Sequence, residues 1–438
     1  MQSDNIVKRA KLAAPDIKLQ LDINHTKTGV KVCSTFKNSI IYLNINEELR
    51  PLFRFNRFAS SLEISKRPPW GVYGDYPRIV EDKDIIALKK YLIDTYHVDF
   101  PKATLDDGVV SFAHENSFDP VYNYLTSIKW DGTKRLDSWL TTYLGVEPTD
   151  YSQVVGRMTL AAACARINKP GIKYDYMLIL EGPQDIGKSM AVATLGGQWY
   201  RAVSLIERTK ETVEKMQGAF LIEVPELAVF KKKDIESLKA FITNEIDVER
   251  FPYGRRSVVL PRRSIFIGTI NPDNSGYFSD TTGNRRFLPV TCGDINLSAL
   301  QQDKDQIWAE AWAAHLAGCP LYLSKADTKL AQEEQERREI VDEWTDPIRD
   351  YIEGKWKVTA VDIWCECLKG FTQDFDRLRQ MRVADCMRKL GWVRKVIRVG
   401  EETKRGFVDP NHWKDFREND GTPWDEEESN PSPPSPAG

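Results

Sequence analysis

Gly182-Pro183-Gln184-Asp185-Ile186-Gly187-Lys188-Ser189 is the stretch from which the fold is read. It follows an apolar run, Met177 to Leu180, and leads into good helix formers, Met190 to Leu195. A glycine-containing loop closed by Lys-Ser between a predicted strand and a predicted helix has the pattern of a phosphate-binding loop. The reason is local: backbone N–H groups of such a loop, and of the helix start behind it, point unpaired donors at an anion. Gly182, Pro183, Gln184, Asp185, Ile186, Gly187, Lys188 and Ser189 are therefore the candidate nucleotide cradle. Lys188 is expected to reach the β- and γ-phosphates, and the Ser189 hydroxyl to ligate Mg²⁺. An ordinary strand-turn-helix is the plainer alternative.

Such a loop needs an acid nearby. Phe220-Leu221-Ile222-Glu223-Val224-Pro225-Glu226 supplies two at the end of the next apolar strand. Glu223 is expected to hold the metal and Glu226 to orient or deprotonate the attacking water, and these roles are exchangeable on sequence alone. A further apolar strand, Ile265 to Ile270, ends in Asn271, a polar tip suited to sensing the γ-phosphate or positioning water. Arg285 and Arg286, in Gly283-Asn284-Arg285-Arg286-Phe287, are candidates for an arginine finger acting across a subunit boundary. One of the two could instead hold a structural carboxylate.

Working outward, Arg250-Phe251-Pro252-Tyr253-Gly254-Arg255-Arg256 and Arg262-Arg263 gather aromatic and basic residues around a glycine turn. Tyr253, Arg255, Arg256, Arg262 and Arg263 suit a hairpin that touches nucleic acid by charge and stacking; a solvated hairpin or an intersubunit ion-pair surface is the alternative. Near the other end, Arg377 to Leu390 reads as a basic amphipathic helix followed by two basic strands, Val393–Val399 and Lys404–Val408. That order suggests a winged-helix module with Arg388, Lys389, Arg394 and Lys395 at DNA, or else a packing module.

The 438 residues have room for two or three domains, and 41% hydrophobic with 29% charged residues describes a soluble globular chain. A formal net charge of -3 confines any DNA contact to local basic patches. No apolar run is long enough to span a membrane, and the polar, basic start is no secretory signal. Seven scattered cysteines read as reduced thiols in a cytoplasm rather than as a metal or disulfide set.

The expected organisation is a leader (1–18), a mostly helical N-terminal domain (19–170), an α/β core with a parallel sheet (171–300) and a helical linker (301–345). A small winged-helix-like domain (346–410) and a disordered acidic, proline-rich tail (411–438) follow. Within these, Asp82 to Tyr96, Asp119 to Ser127 and Gly156 to Ile167 read as helices and Phe53 to Phe58 as a half-buried strand. The strand candidates of the core are Tyr176–Leu180, Ala219–Val224, Ser264–Ile270 and Phe287–Val290. Asn44 to Glu48 reads as a helix start, and Gln332 to Arg338 as a solvated helix face.

Taken together, Trp130-Asp131-Gly132, Glu181 to Ser189, Ile222-Glu223-Val224-Pro225-Glu226-Leu227, Pro252 to Arg256 and Gly283 to Phe287 resemble the virulence-associated protein E family. These are P-loop proteins of prophages, plasmids and phage satellites, related to superfamily 3 helicases within the AAA+ class. The resemblance spans residues 40 to 300. It implies a replication helicase that forms a ring, often a hexamer, around DNA, with ATP and Mg²⁺ bound at subunit interfaces. The family's nucleotide residues fall on Lys188, Ser189, Glu223, Asn271 and the Arg285-Arg286 pair. The two acids are not adjacent here, unlike those of many superfamily 3 proteins. An ATP-binding initiator or loader without unwinding activity shares every ATPase motif; a small-molecule kinase would have no use for the basic modules.

Overall fold

The computed structural model describes residues 21–27, 29–50, 52–71, 74–204, 210–225, 232–249, 258–271, 284–338, 342–399 and 402–411. The chain divides into two compact units, Met1–Glu339 and Ile340–Gly438. The first opens with an antiparallel hairpin of β1 (Ile23–Thr26) and β2 (Gly29–Val32), then α1 (Phe36–Ile45). An antiparallel sheet of β3 (Phe53–Asn56), β4 (Ser61–Ile64) and β5 (Arg78–Ile79) is followed by α2 (Asp82–Tyr96) and α3 (Lys102–Glu115).

Leu43, Leu52, Phe53, Leu88, Leu92, Leu105 and Phe112 meet in one core, fully buried. Gly108 lets α3 approach α1, because a Cβ there would stand 2.2 Å from Ser39 Oγ. The expected helix start at Asn44 is corrected: α1 begins earlier, where Thr35 accepts from Asn38 N, and it ends at Asn46. The Asn46 side chain takes the Glu48 and Leu49 amides and donates to Tyr91 and Tyr96, so this asparagine closes the helix.

Next come α4 (Pro120–Ser127), α5 (Trp139–Leu144) and α6 (Asp150–Asn168). Asp119 caps α4 with proline at its first turn, and a Thr149–Ser152 capping box starts α6. Ala161 to Ala165 are wholly buried, and these small side chains let α6 lie close to its neighbours. The guanidinium of buried Arg166 ties α6 to the sheet, donating to Ser264 O (2.6 Å) and Tyr174 O (2.9 Å). Burial pushes its pKa down to about 10. All three helices share a core with the central sheet, so a domain boundary near residue 170 falls inside one packed body. The packing instead changes between Ala113, in the first core, and Val121, in the second.

The central sheet holds β6 (Met177–Glu181), β7 (Tyr200–Ala202), β8 (Leu221–Val224), β11 (Ile265–Ile270) and β12 (Phe287–Thr291), in the order β12-β6-β11-β8-β7. Every pairing is parallel. Between β6 and β7 runs α7 (Lys188–Gly196); α8 (Lys210–Met216) precedes β8 and α9 (Lys232–Ile242) follows it. A separate antiparallel hairpin of β9 (Ile246–Glu249) and β10 (Val258–Pro261) leads into β11.

Strand alternation divides the apolar residues between two faces. Leu178, Leu180, Leu221, Ile265, Ile267 and Leu288 pack with α4 to α7, α10 (Leu297–Leu316) and α11 (Lys325–Glu336). Met177, Ile179, Ile222, Val224, Phe266 and Ile270 pack with Leu238, Phe241 and Ile242 of α9. A sheet covered on both faces gives near-continuous apolar strands, which is why these strands were readable in the sequence. Each fully buried side chain of this size contributes about 1.5–3 kcal/mol.

The second unit contains α12 (Thr345–Ile352), β13 (Lys357–Thr359), helical turns across 360–367, α13 (Arg377–Lys389), β14 (Val393–Val399) and β15 (Glu402–Val408). Its antiparallel sheet has the order β13-β15-β14. Ile348, Val358, Ile363, Val383, Met387 and Phe407 form its core. Gly406 must be glycine, since a Cβ would meet Ile397 Cδ1 at 2.2 Å and the Val358 carbonyl at 2.8 Å. The seven cysteines are all unpaired. Among the described residues no helix is long and apolar enough to cross a membrane.

Candidate functional site

Strand β6 is an interior strand of a parallel sheet, so the Gly182–Ser189 loop emerges at the carboxyl edge, flanked by the ends of β11 and β12. Gly182 and Gly187 have φ of 152° and 99°, and Asp185 has φ of 62°, so the loop turns through left-handed conformations before α7. A Cβ at Gly182 would press on Ile186 Cδ1 at 2.6 Å and on the Cys292 carbonyl at 3.2 Å. Glycine at 182 therefore lets the start of the loop pack closely against Ile186 and the Cys292 carbonyl.

Lys188, only 6% exposed, donates from Nζ to the carbonyls of Gly182 (2.8 Å) and Pro183 (2.6 Å) and to Asn271 Oδ1 (2.9 Å). Burial lowers its pKa. Ser189 Oγ donates to Glu223 Oε1 (2.6 Å). Glu223, in β8 and 1% exposed, also receives Thr269 Oγ1 on Oε1 (2.7 Å) and the Tyr200 hydroxyl on Oε2. Burial, and then the hydrogen bond to Glu223, raise the Tyr200 phenol well above its ordinary pKa. A cavity of about 340 Å³ opens beside these groups, lined by Gln184, Lys188, Ser189, Pro225, Thr269 and Asn271 among others.

The loop thus meets Glu223 and Asn271, although 34 and 83 positions separate the bonded pairs in sequence. Sheet order explains it: β11 lies between β6 and β8, so Asn271 sits next to the loop and Glu223 one strand farther. Thr269 and Tyr200 were missed. A polar Thr269 in the apolar strand Ile265–Ile270 was a signal; Tyr200, on a three-residue edge strand, carried none.

Glu181, directly before the loop, anchors it. Its carboxylate accepts from Arg338 Nε (2.6 Å) and Thr291 Oγ1 (2.9 Å), and its carbonyl from Cys292 N (2.7 Å). Arg338 also holds Glu334, and Gln335 donates to the Phe287 carbonyl (2.8 Å). The expected solvated face at Gln332 to Arg338 is therefore corrected for these two residues, which hold the last strand and the loop base.

Arg285 and Arg286 lie just before β12, where Phe287 pairs with Met177 at the start of β6. They stand at the edge of the sheet opposite Lys188. Arg285 is exposed and Arg286 half-buried. Glu226, Tyr253, Arg255 and Arg256 lie outside the described residues.

Arg262 and Arg263 require correction as DNA contacts. Arg262 is 3% exposed and holds Asp247 of β9 with two bonds (2.7 and 3.0 Å), with the Phe241 carbonyl as a further acceptor. Arg263 donates to Asp119 and to the carbonyls of Arg57 (3.1 Å) and Ile167 (3.4 Å). Both guanidiniums bind the hairpin base and α4 instead of presenting charge to solvent.

The family model described as the virulence-associated protein E-like domain matches residues 125–340. These residues carry a virulence-associated protein E-like domain. The virulence-associated protein E-like domain takes in the central sheet, the Gly182–Ser189 loop, Glu223, Asn271 and the two arginines. It leaves out the first core and nearly all of the second unit. The fold is also similar to the A form apo structure of the NrS-1 C-terminal region, with 10% identity and a TM-score of 0.42, over 81% of this chain and 96% of that one. A second apo structure of that region gives 10% identity and a TM-score of 0.43, over 83% and 100%. No curated protein matches the sequence.

In the second unit, Arg388 pairs with Asp385 on α13 (3.0 Å) and is largely exposed, as are Lys389, Arg394 and Lys395. β14 and β15 make a basic ribbon in which Val396 pairs with Arg405 and Ile397 with Lys404.

Proposed function

We propose that the chain is an ATP-dependent DNA helicase or translocase acting in replication of a prophage, plasmid or phage satellite. The observation that carries this reading is the convergence of Lys188, Ser189, Glu223 and Asn271 beside one cavity at the carboxyl edge of a parallel sheet. Open sheets of this kind place ligands there. The donor set fits ATP and Mg²⁺: a loop turned through positive φ at Gly182, Asp185 and Gly187, a buried amine, and hard oxygen donors on Ser189 and Glu223.

Lys188 would exchange its loop carbonyls and Asn271 for the β- and γ-phosphates. Asn271, released from the amine, is then placed to orient a water toward the γ-phosphate. Ser189 and Glu223 would hold Mg²⁺, which when bound offsets the phosphate charge. Glu226 is assigned to water activation, with its role and that of Glu223 exchangeable.

Arg285 and Arg286 precede β12 on the far edge, where Phe287 pairs with Met177, about 20 Å along the strands from the loop at 3.3 Å per residue. That distance supports their use in a neighbouring subunit's site, as in a six-membered ring. The helix–strand order of the second unit, with its basic ribbon, supports a winged-helix-like DNA module using Arg388, Lys389, Arg394 and Lys395. The loop residues Tyr253, Arg255 and Arg256 are proposed to contact DNA inside the ring.

Strand displacement on forked DNA tests the reading. ATP-dependent unwinding, lost in Lys188→Ala, is expected. DNA-stimulated hydrolysis without displacement on any substrate would replace the helicase with an initiator or loader.

A further inference from the structure

We infer that Tyr200 is a positioning residue of the nucleotide site, fixing Glu223 so that Ser189 presents its lone pairs to the metal. This rests on the nucleotide reading above and adds a residue to it. Glu223 is a buried carboxylate whose side-chain hydrogen-bond donors among the described residues are three neutral hydroxyls: Ser189 (2.6 Å) and Thr269 (2.7 Å) on Oε1, and Tyr200 on Oε2. A hydroxyl has one proton and two lone pairs. Because Ser189 gives its proton to Glu223, only its lone pairs remain for a cation, and the direction they face is set by where Glu223 sits. Thr269 holds one carboxylate oxygen from β11, on one side of β8. Tyr200 holds the other from β7, on the opposite side. Between them the carboxylate cannot rotate.

The chain is built to put Tyr200 there. At the end of α7, a Cβ on Gly196 would lie 2.8 Å from Tyr200 Cβ and 3.3 Å from Leu221 Cβ, so this glycine allows the edge strand to close on β8. The Phe220 amide donates to the Trp199 carbonyl (2.7 Å), and Tyr200 pairs with Leu221. Outer-shell hydrogen bonds of this kind usually change metal affinity about 10–100-fold when removed.

Tyr200→Phe keeps the ring and deletes only the donor. The test measures binding of a non-hydrolysable ATP analogue in EDTA, and Mn²⁺ affinity by electron paramagnetic resonance with the analogue present. The expected result is metal-free analogue binding within about twofold of wild type, with Mn²⁺ affinity lowered at least about tenfold. Thr269→Val, acting on the other oxygen, should lower Mn²⁺ affinity in the same selective way. Unchanged Mn²⁺ affinity in Tyr200→Phe would overturn the inference, as would an equal loss in both measurements, the mark of a merely structural role. A wild-type protein that binds neither analogue nor Mn²⁺ would instead overturn the nucleotide reading itself, and this inference with it.

Discussion

Lys188 is held by its own loop, with two carbonyls and the Asn271 amide oxygen accepting from its amine. In the proposed site phosphate would replace those acceptors, an exchange that favours the charged amine. Since burial lowers its pKa, the proton is lost at a lower pH than from an ordinary lysine. Nucleotide affinity should therefore fall as pH rises through the range just below that in which a free lysine titrates; calorimetry at several pH values checks this. A flat profile there would remove Lys188 from phosphate binding. Arg262 behaves differently. Its pair with Asp247 is almost completely buried, so Arg262→Ala leaves a buried carboxylate and should cost about 3–5 kcal/mol in denaturant unfolding. The sequence shows an Arg262-Arg263 pair that looks like a charged surface. What it hides is the β9–β10 register, which sets Leu260 opposite Asp247 and brings an acid 15 positions away onto the guanidinium.

Among the elements, those with strong periodicity were legible. The expected strands Tyr176–Leu180 and Ser264–Ile270 differ from β6 and β11 by a residue at their ends, and Asp82 to Tyr96 is a helix as read. Continuous apolar runs between turn signals leave little choice. Helix α3 escaped because Gly108 weakens its pattern, and the glycine's value lies in a contact with Ser39 that only the folded chain reveals. Edge strand β7 has three residues, too few for a period. The loop base depends on α11 and the residues just after it: Arg338 reaches back 157 positions to Glu181. Arg338→Ala should loosen the loop, costing about 1–3 kcal/mol, with faster amide exchange across 182–189 as the readout. In the second unit, exposed basic residues on β14 lie on a folded ribbon. Arg394→Ala with Lys395→Ala should weaken DNA binding and reduce the salt slope by about 0.9 for each lost phosphate contact. An unchanged slope would make the ribbon a protein-contact surface.

At the scale of the molecule, parallel strands place acid, amide and lysine at one edge and Arg285 and Arg286 at the other. On the proposed reading, a neighbouring subunit's arginine would complete the site. Mixing Lys188→Ala subunits with Arg285→Ala or Arg286→Ala subunits should restore part of the hydrolysis that each variant lacks, and the mixture that recovers names the finger. No recovery in either mixture would place the arginines outside the site. The measurement closest to the central claim is phosphate release from ATP with Mg²⁺, with and without DNA, by wild type and Lys188→Ala prepared alike. Turnover by wild type and a loss of at least about a hundredfold in the variant is the predicted result. Equal rates, or no turnover by wild type under either condition, would contradict it.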